Sequence, residues 1–322
     1  MQLIKDQFER KLLRQRIMSV PQYLSELALV RNSDDLYRWT YFKFPYLFAL
    51  PDFPTRLTVE FTNACNFQCP HCWRETMDRK VGFMEVALFK KIVEEMIPYK
   101  NRTDLKIIGL GEPCLHPHFR ELMGMLRQNH ISPLLYTNGT LLSRFAHEEI
   151  LQWNVQRLVV SIDGLDAEGF GRLRVGGNYE TIRKDVQDFF QVRRKLKAGS
   201  PEIEVRHVIM PEESSKQLLA FRRDWKGLCD GVKFNFVVPL TACEPAASRG
   251  KSRCRDVRRE FYIECDGRAP ACGYGYSREH IGNLHEQTIK DVWMGPRKQQ
   301  LRILHQQQNL EEVPRCKSCS HR

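Results

Sequence analysis

Six short apolar runs, all but the last followed by an amphipathic stretch of helical length, constrain the fold of this chain more than any other feature. The runs are RLTVEFT (56–62), DLKIIGL (104–110), SPLLYT (132–137), VQRLVVSI (155–162), EIEVRHVIM (202–210) and GVKFNFVVP (231–239), rich in the β-branched and aromatic residues of strands. Between them lie EVALFKKIVEEMI, FRELMGMLRQN, RFAHEEILQW, YETIRKDVQDFFQVRRKL and SKQLLAFRRDW, each long enough for a helix. Successive βα units pair as a parallel sheet through right-handed crossovers. The predicted fold is α/β, a parallel sheet open or curled into a partial (β/α)6 barrel over residues 56–240, with functional residues at the C-terminal strand ends.

The flanks read differently. Residues 1 to about 50 form an amphipathic pattern, with Leu3, Ile4, Phe8, Leu12 and Ile17 on one face and basic residues on the other, so 1–55 is expected to be a helical cap on the barrel, the alternative being a membrane-surface or partner helix. From 241 to 322 the alternation stops: TACEPAASRGKSRC reads as a linker, EFYIECDGRAPAC as a hairpin and TIKDVWMGPRKQQLRIL as one helix, a small α+β region. With 322 residues, 42% of them hydrophobic, there is enough to bury a large core. No run reaches membrane-spanning length and the N-terminus is charged where a signal peptide is apolar, so a cytoplasmic protein is expected. Eleven cysteines in a reducing compartment point to metal ligands or catalytic thiols rather than disulfides.

Three of those cysteines, Cys65, Cys69 and Cys72, share the loop after the first strand in FTNACNFQCPHCWRE. Three thiolates can hold three irons of a cubane and leave a fourth open, whereas a structural zinc would want a fourth ligand nearby. This CxxxCxxC arrangement resembles the signature of the radical SAM enzymes, in which the open iron chelates the amino and carboxylate groups of S-adenosylmethionine and one electron cleaves it to a 5'-deoxyadenosyl radical. Further segments support the resemblance. GLGEP, Gly109 to Pro113, is similar to the family's GGEP motif, with Leu110 in the first-glycine slot; the resemblance gives Gly109, Gly111, Glu112 and Pro113 to cofactor binding and Glu112 to the amino group. It also implies cofactor contacts from Asn138 in TNGT, Ser161 and Asp163 in SIDG, Arg174 in RLRVGGNYETI, and His71 before the third cysteine. A carboxylate suits an ammonium and an arginine fork suits a carboxylate. Taken singly, a helix-capping glutamate and a surface arginine are the plainer alternatives.

The tail carries a second set. Cys254, Cys272, Cys316 and Cys319, with Gly267 between the first two and IGNLHEQTIKDVW after them, have metal-site spacing that suits zinc as well as iron and sulfur. The pattern resembles the twitch domain, the shortened form of the SPASM extension, and implies that these four fully ligate one auxiliary 4Fe-4S cluster. Two 4Fe-4S clusters, S-adenosylmethionine and a reducing partner such as flavodoxin or ferredoxin are the cofactors and partners so implied. Of the remaining cysteines, Cys229 and Cys265 suit small buried hydrophobes, and Cys265 could also compete for the cluster. Cys243, just after the last strand at the barrel mouth, and Cys114, next to GLGEP, are candidate hydrogen-atom donors to a substrate radical, Cys243 the better placed, with a small buried hydrophobe as the alternative for each. His116 and His118 are loop histidines capping the next helix, with a ligand role as the alternative.

Net charge is 50 − 39 = +11, and residues 248–260 hold six basic side chains against two acidic ones. Such a run is a solvated face or an attractor of an anionic substrate. Nothing beside it resembles a nucleic-acid recognition motif. The expected function is therefore radical oxidation or epimerisation of a small polar molecule, a sugar or aminocyclitol; ribosomal-peptide maturation is the alternative, weakened because no precursor-binding pattern precedes the barrel. A chain ending SCSHR lacks the Gly-Gly tail of the molybdopterin-precursor cyclase. A non-catalytic binding relative is a third reading, against which the intact cysteine loop and Glu112 count.

Overall fold

The computed structural model describes residues 46, 48–236, 254–273, 279–313, 316 and 319. The expected N-terminal helix, the linker with Cys243 and residues 248–253 of the basic run lie outside the described residues. The six expected strands form as β1 (Arg56–Val59), β2 (Asp104–Ile107), β3 (Leu134–Thr137), β4 (Arg157–Ser161), β5 (Glu202–Ile209) and β6 (Gly231–Phe236). They pair in parallel in the order β6-β5-β4-β3-β2-β1, the α/β partial barrel expected of the sequence. Several ladders stop short of the apolar runs. At β1 and β2 the runs extend to 62 and 110 while the paired register ends at Val59 and Ile107; the residues beyond turn out of the sheet and become the loops that build the site.

A seventh strand was not expected there. Glu260–Ile263, read from sequence as half of a hairpin, is β7 and pairs in parallel with the free edge of β1 from Arg56↔Glu260 to Val59↔Ile263. After it a tight turn, Gly267 N–H to Glu264 C=O at 2.9 Å, leads into β8 (Arg268–Pro270), which pairs antiparallel with β9 (His280–Asn283) instead. Gly267 holds φ +82°, and a Cβ there would meet the His285 ring at 2.7 Å, so the turn demands glycine. An unpaired β1 edge would leave a row of backbone donors and acceptors unsatisfied, and β7 closes it.

Helices Val86–Met96 (α1), Phe119–Gln128 (α2), His147–Gln152 (α3), Tyr179–Lys195 (α5) and Ser215–Asp224 (α6) cover the sheet. Ala167–Leu173 (α4) is an addition, capped by Asp166, which accepts from Gly169 N at 2.8 Å. Strand alternation sends Leu57, Val59, Leu105, Ile107, Leu135, Leu158, Val160, Ile203 and Val205 into one core with Leu88, Phe89, Ile92, Leu122, Leu126, Ile182 and Phe189 of these helices, all buried. The opposite residues are mostly polar, with apolar Leu134, Val159 and Val208 among them. Lys106 pairs with Glu260 at 3.1 Å, and Arg206 donates to Tyr136 Oη at 3.0 Å, so the concave face is lined with charge. In the tail, the single expected helix is two, Ile289–Met294 (α7) and Pro296–Gln307 (α8). Pro296 disfavours helical backbone at the residue before it, and Gly295 is extended at φ −65°, ψ 160°.

Candidate active site

The loop leaving β1 carries the three cysteines and is held by its neighbours. Glu112 N donates to Ala64 O at 2.8 Å and Gln68 N to Val175 O at 2.9 Å, tying it to the β2 and α4 loops. Asn138 Nδ2 donates to Asn66 Oδ1 at 2.8 Å, adding the β3 loop. Backbone N–H groups point at the sulfurs: Phe67 N lies 3.4 Å from Cys65 Sγ and Arg74 N 3.5 Å from Cys72 Sγ. Burial pushes the Cys69 thiol up to about 11 and moves Cys65 and Cys72 in the same direction, so all three stay protonated until a metal displaces the protons.

Cys65, Cys69 and Cys72 line a cavity of about 200 Å3 together with Gly109, Gly111, Glu112, Asn138, Ser161 and Arg174. Four strand-end loops thus bring nine of the sequence candidates to one hollow. Gly111 is where the loops touch: a Cβ would sit 2.3 Å from Thr62 O and 2.4 Å from Ala64 O, both backbone. Glu112 is buried and accepts from Asn138 N (2.6 Å), Thr137 Oγ1 (2.8 Å) and Cys114 N (3.2 Å). Burial raises its carboxyl above the ordinary range against those three donors. Pro113 opens the 3-10 turn behind Glu112, outside the lining.

Asp163 and His71 are likewise set back. Burial raises the Asp163 carboxyl, but Arg174 and then His71 outweigh it and hold the group well below the usual carboxylate range. Its Oδ2 lies 2.6 Å from Arg174 Nη2 and 3.1 Å from His71 Nε2, and its Oδ1 accepts from Val208 N at 2.7 Å. Sequence placed Asp163 as a cofactor contact; the structure makes it the anchor of Arg174, which does reach the cavity. Arg174 Nε and His71 Nδ1 are buried with no partner among the described residues; Arg174 Nε is a donor available to a bound group. Cys114 is a correction: it is fully interior, facing Glu112 and Thr137 rather than a cavity, and burial drives its thiol well above its ordinary value. His116, with Nε2 2.8 Å from Met84 O, ties loops together. His118 precedes α2 without a side-chain capping bond.

A second, larger cavity of about 510 Å3 was not foreseen. Its walls are Asp78–Phe83 from the barrel and Cys265, Asp266, Arg268 and His280 from the C-terminal region. Its floor is a network closed by β7. Glu60, fully buried, takes Arg79 Nη1 at 2.6 Å, Leu110 N at 2.9 Å, Tyr262 Oη at 3.2 Å and Cys265 N at 3.3 Å. Glu264 lies 3.5 Å from Arg79 Nε and 2.9 Å from His280 Nε2. Burial, aided by Glu60 and opposed by Arg79, pushes the Cys265 thiol up to about 12. Glu60 also packs where a Cβ of Gly109 would stand, 2.2 Å from Glu60 Cγ, so one buried carboxylate touches residues of both cavities while lining neither. These residues were invisible to sequence reading because only the pairing of β7 with β1 joins them.

In the tail, Cys254, Cys272, Cys316 and Cys319 gather around α8. Cys254 feels the charge of Cys319, Lys298 feels Cys272 and Cys254, and His305 Nε2 lies 3.3 Å from Cys316 Sγ. Among the described residues no three His, Cys, Asp or Glu side chains converge on one ion.

A family model described as the radical SAM superfamily matches residues 59–224, spanning the cysteine loop, GLGEP, SIDG and Arg174. The chain belongs to the radical SAM superfamily. A second, the SPASM iron-sulfur cluster-binding domain, matches 254–320. This radical SAM enzyme accordingly takes S-adenosylmethionine with a 4Fe-4S cluster, and auxiliary iron-sulfur in its SPASM region. The tungsten-containing aldehyde ferredoxin oxidoreductase cofactor-modifying protein of Pyrococcus furiosus is 27% identical over 190 residues, 58% of this chain and 52% of that protein. The chain spans about half the length of the curated relatives it matches first. BtrN in complex with AdoMet and 2-DOIA shares the fold at 16% identity and TM-score 0.56, over 83% of this chain and 92% of that one. Streptococcus suis SuiB bound to precursor peptide SuiA does so at 15% and 0.62, over 92% and 79%. Among the described residues no helix is long and apolar enough to cross a membrane.

Proposed function

We propose that this radical SAM enzyme oxidises or epimerises a carbon of a small polar molecule, of sugar or aminocyclitol type, held in the 510 Å3 chamber beside the cysteine cavity. The chamber carries the reading. Its volume lies in the range of small-molecule sites, and its walls set Asp78, Arg79, Lys80, Asp266 and Arg268 beside Val81 and Phe83, charged groups that suit a polar molecule. In this reading the domains are a helical cap to 55, the barrel to 240 and the auxiliary region beyond, with β7 of the last completing the sheet of the second.

When bound, the cluster and S-adenosylmethionine supply a 5'-deoxyadenosyl radical that takes a hydrogen atom from the substrate. The chain's own residues bind and orient. Cys65, Cys69 and Cys72 hold the first cluster. Glu112 accepts the amino group of S-adenosylmethionine while Asn138 N, Thr137 and Cys114 N keep its carboxylate fixed. Arg174, braced by Asp163, faces the carboxylate, and Ser161 and Asn138 supply hydroxyl and amide contacts, with Gly109 and Gly111 letting the strand-end loops close. Cys254, Cys272, Cys316 and Cys319 would hold the auxiliary cluster, which would supply the electron acceptor that an oxidation needs. For epimerisation a thiol must return a hydrogen atom. Cys243 is the sequence candidate, and Cys265 is the described thiol that lines the chamber and stays protonated.

The test is anaerobic turnover with a reductant, S-adenosylmethionine and a panel of sugars, aminocyclitols and short peptides. A sugar or aminocyclitol should stimulate 5'-deoxyadenosine and lose two hydrogens, or take up solvent deuterium at one carbon. Stimulation by peptides alone sinks the small-molecule reading. With substrate in hand, Cys243→Ala and Cys265→Ala separate the donors: the right one keeps cleavage of S-adenosylmethionine and loses inverted product. Arg268→Met should raise the substrate KM about tenfold, the worth of one charge-assisted hydrogen bond, and leave the affinity for S-adenosylmethionine unchanged.

A further inference from the structure

Helix α8 buries a stripe that helices normally leave wet. Lys298, Arg302 and His305 stand at i, i+4 and i+7, one face of the helix, and are 3%, 4% and 3% exposed. Lysine and arginine are almost never fully buried without a counter-charge. Lys298 Nζ meets the carbonyls of Ala271 (3.3 Å) and Glu260 (3.5 Å) and stands 5.5 Å from the centre of the Trp293 ring, and it makes no ion pair among the described residues. Arg302 donates to Trp293 O at 2.7 Å and Val257 O at 3.3 Å and lies 4.1 Å over the same ring. At Lys298 the carbonyl oxygens orient the ammonium without neutralising it.

What lies along the stripe is the tail's thiols. Lys298 meets the backbone beside Cys272, Arg302 reaches Val257 in the turn after Cys254, and His305 Nε2 is 3.3 Å from Cys316 Sγ. Four thiolates around a cubane leave a net negative charge, larger once the cluster is reduced. Nearby cations and N–H···S bonds therefore favour the reduced form and raise the potential.

We infer that Lys298, Arg302 and His305 are positioning residues of the auxiliary cluster, Lys298 through its buried charge and His305 through its contact with Cys316 Sγ, and that they raise its reduction potential, fitting it to accept an electron. This rests on the reading that the four tail cysteines hold a cluster. None of the three touches substrate; they act through the sulfurs.

The test uses the full chain with Cys65, Cys69 and Cys72 replaced by alanine, so that only the auxiliary cluster is titrated, reconstituted anaerobically and followed by EPR at set potentials. Lys298→Met should lower the midpoint so that the reduced-to-oxidised ratio at a fixed potential falls at least tenfold, about 59 mV for one electron. Lys298→Arg should leave it within twofold. Lys298→Met failing to load iron where Lys298→Arg loads it supports the same role, and equal loss from both overturns it. His305→Phe gives an independent measurement at the other end of the stripe, with the same downward shift expected. Unchanged midpoints in Lys298→Met and His305→Phe at full iron content overturn the inference. Zinc and no iron in the tail of the parent protein would instead remove the reading beneath it, and metal analysis shows this before any titration.

Discussion

At the scale of single residues, the buried carboxylates divide the labour. Asp163 spends both oxygens on protein: Arg174 and His71 on one, Val208 N on the other. Asp163→Asn leaves Arg174 buried without its counter-charge, and about 3 kcal/mol of stability should disappear in urea unfolding near neutral pH. Because the folded-state carboxyl sits below its ordinary value, that contribution is present above about pH 4 and is lost as pH falls further toward the folded value. The gap between wild type and variant should therefore narrow on acidification from that point; a gap constant with pH contradicts the charge-based account. Glu112→Gln turns one acceptor oxygen into a donor amide opposite N–H and O–H donors. Affinity for S-adenosylmethionine should fall at least tenfold, measured by equilibrium dialysis, while iron bound at Cys65, Cys69 and Cys72 is retained. The place of Glu112 in the cysteine cavity was legible because a motif marks it. Glu60 and Arg79 were not, since neither carries a motif and their partners Tyr262, Glu264 and Cys265 lie roughly two hundred residues on.

At the scale of elements, sequence periodicity found the six strands and the long helices but not where they stop. At β1 and β2 the apolar pattern runs past the last paired residue, because the loop residues beyond are also buried: Glu60, Phe61 and Thr62 are all within 1% exposure. The hairpin expected at 260–272 failed for a different reason. EFYI is a local strand either way, and only the open edge of β1 decides its partner. The break between α7 and α8 could have been read from Gly295-Pro296. Gly111 is the tightest joint between elements. Gly111→Ala must push apart the β1 and β2 loops, with backbone oxygens 2.3 and 2.4 Å from the new carbon. The expected result is loss of the first cluster, read as about half the iron per chain, with the auxiliary cluster kept. Full iron loading in this variant would show that the two loops yield without disturbing the cysteines.

At the scale of the whole molecule, the barrel and the auxiliary region are one sheet. β7 comes after the linker, yet Phe261 and Ile263 are 1% and 0% exposed in the common core, and Phe261 meets the Trp293 ring edge-on at 6.3 Å. A fragment ending at residue 240 exposes the β1 edge and this apolar surface, and should aggregate where the full chain does not; a monomeric, S-adenosylmethionine-binding fragment would show that the two regions are separable after all. The same joint sets the large chamber, walled by residues 78–83 of the barrel and by Cys265, Asp266, Arg268 and His280, which is where the account places the substrate. That account stands on Cys65, Cys69 and Cys72 holding one cubane and Cys254, Cys272, Cys316 and Cys319 another. The most direct test is iron and acid-labile sulfide per chain in anaerobically reconstituted protein, beside the variant with alanine at 65, 69 and 72. About eight irons falling to about four is the predicted result, whereas about four falling to none, with zinc in the tail, would contradict it.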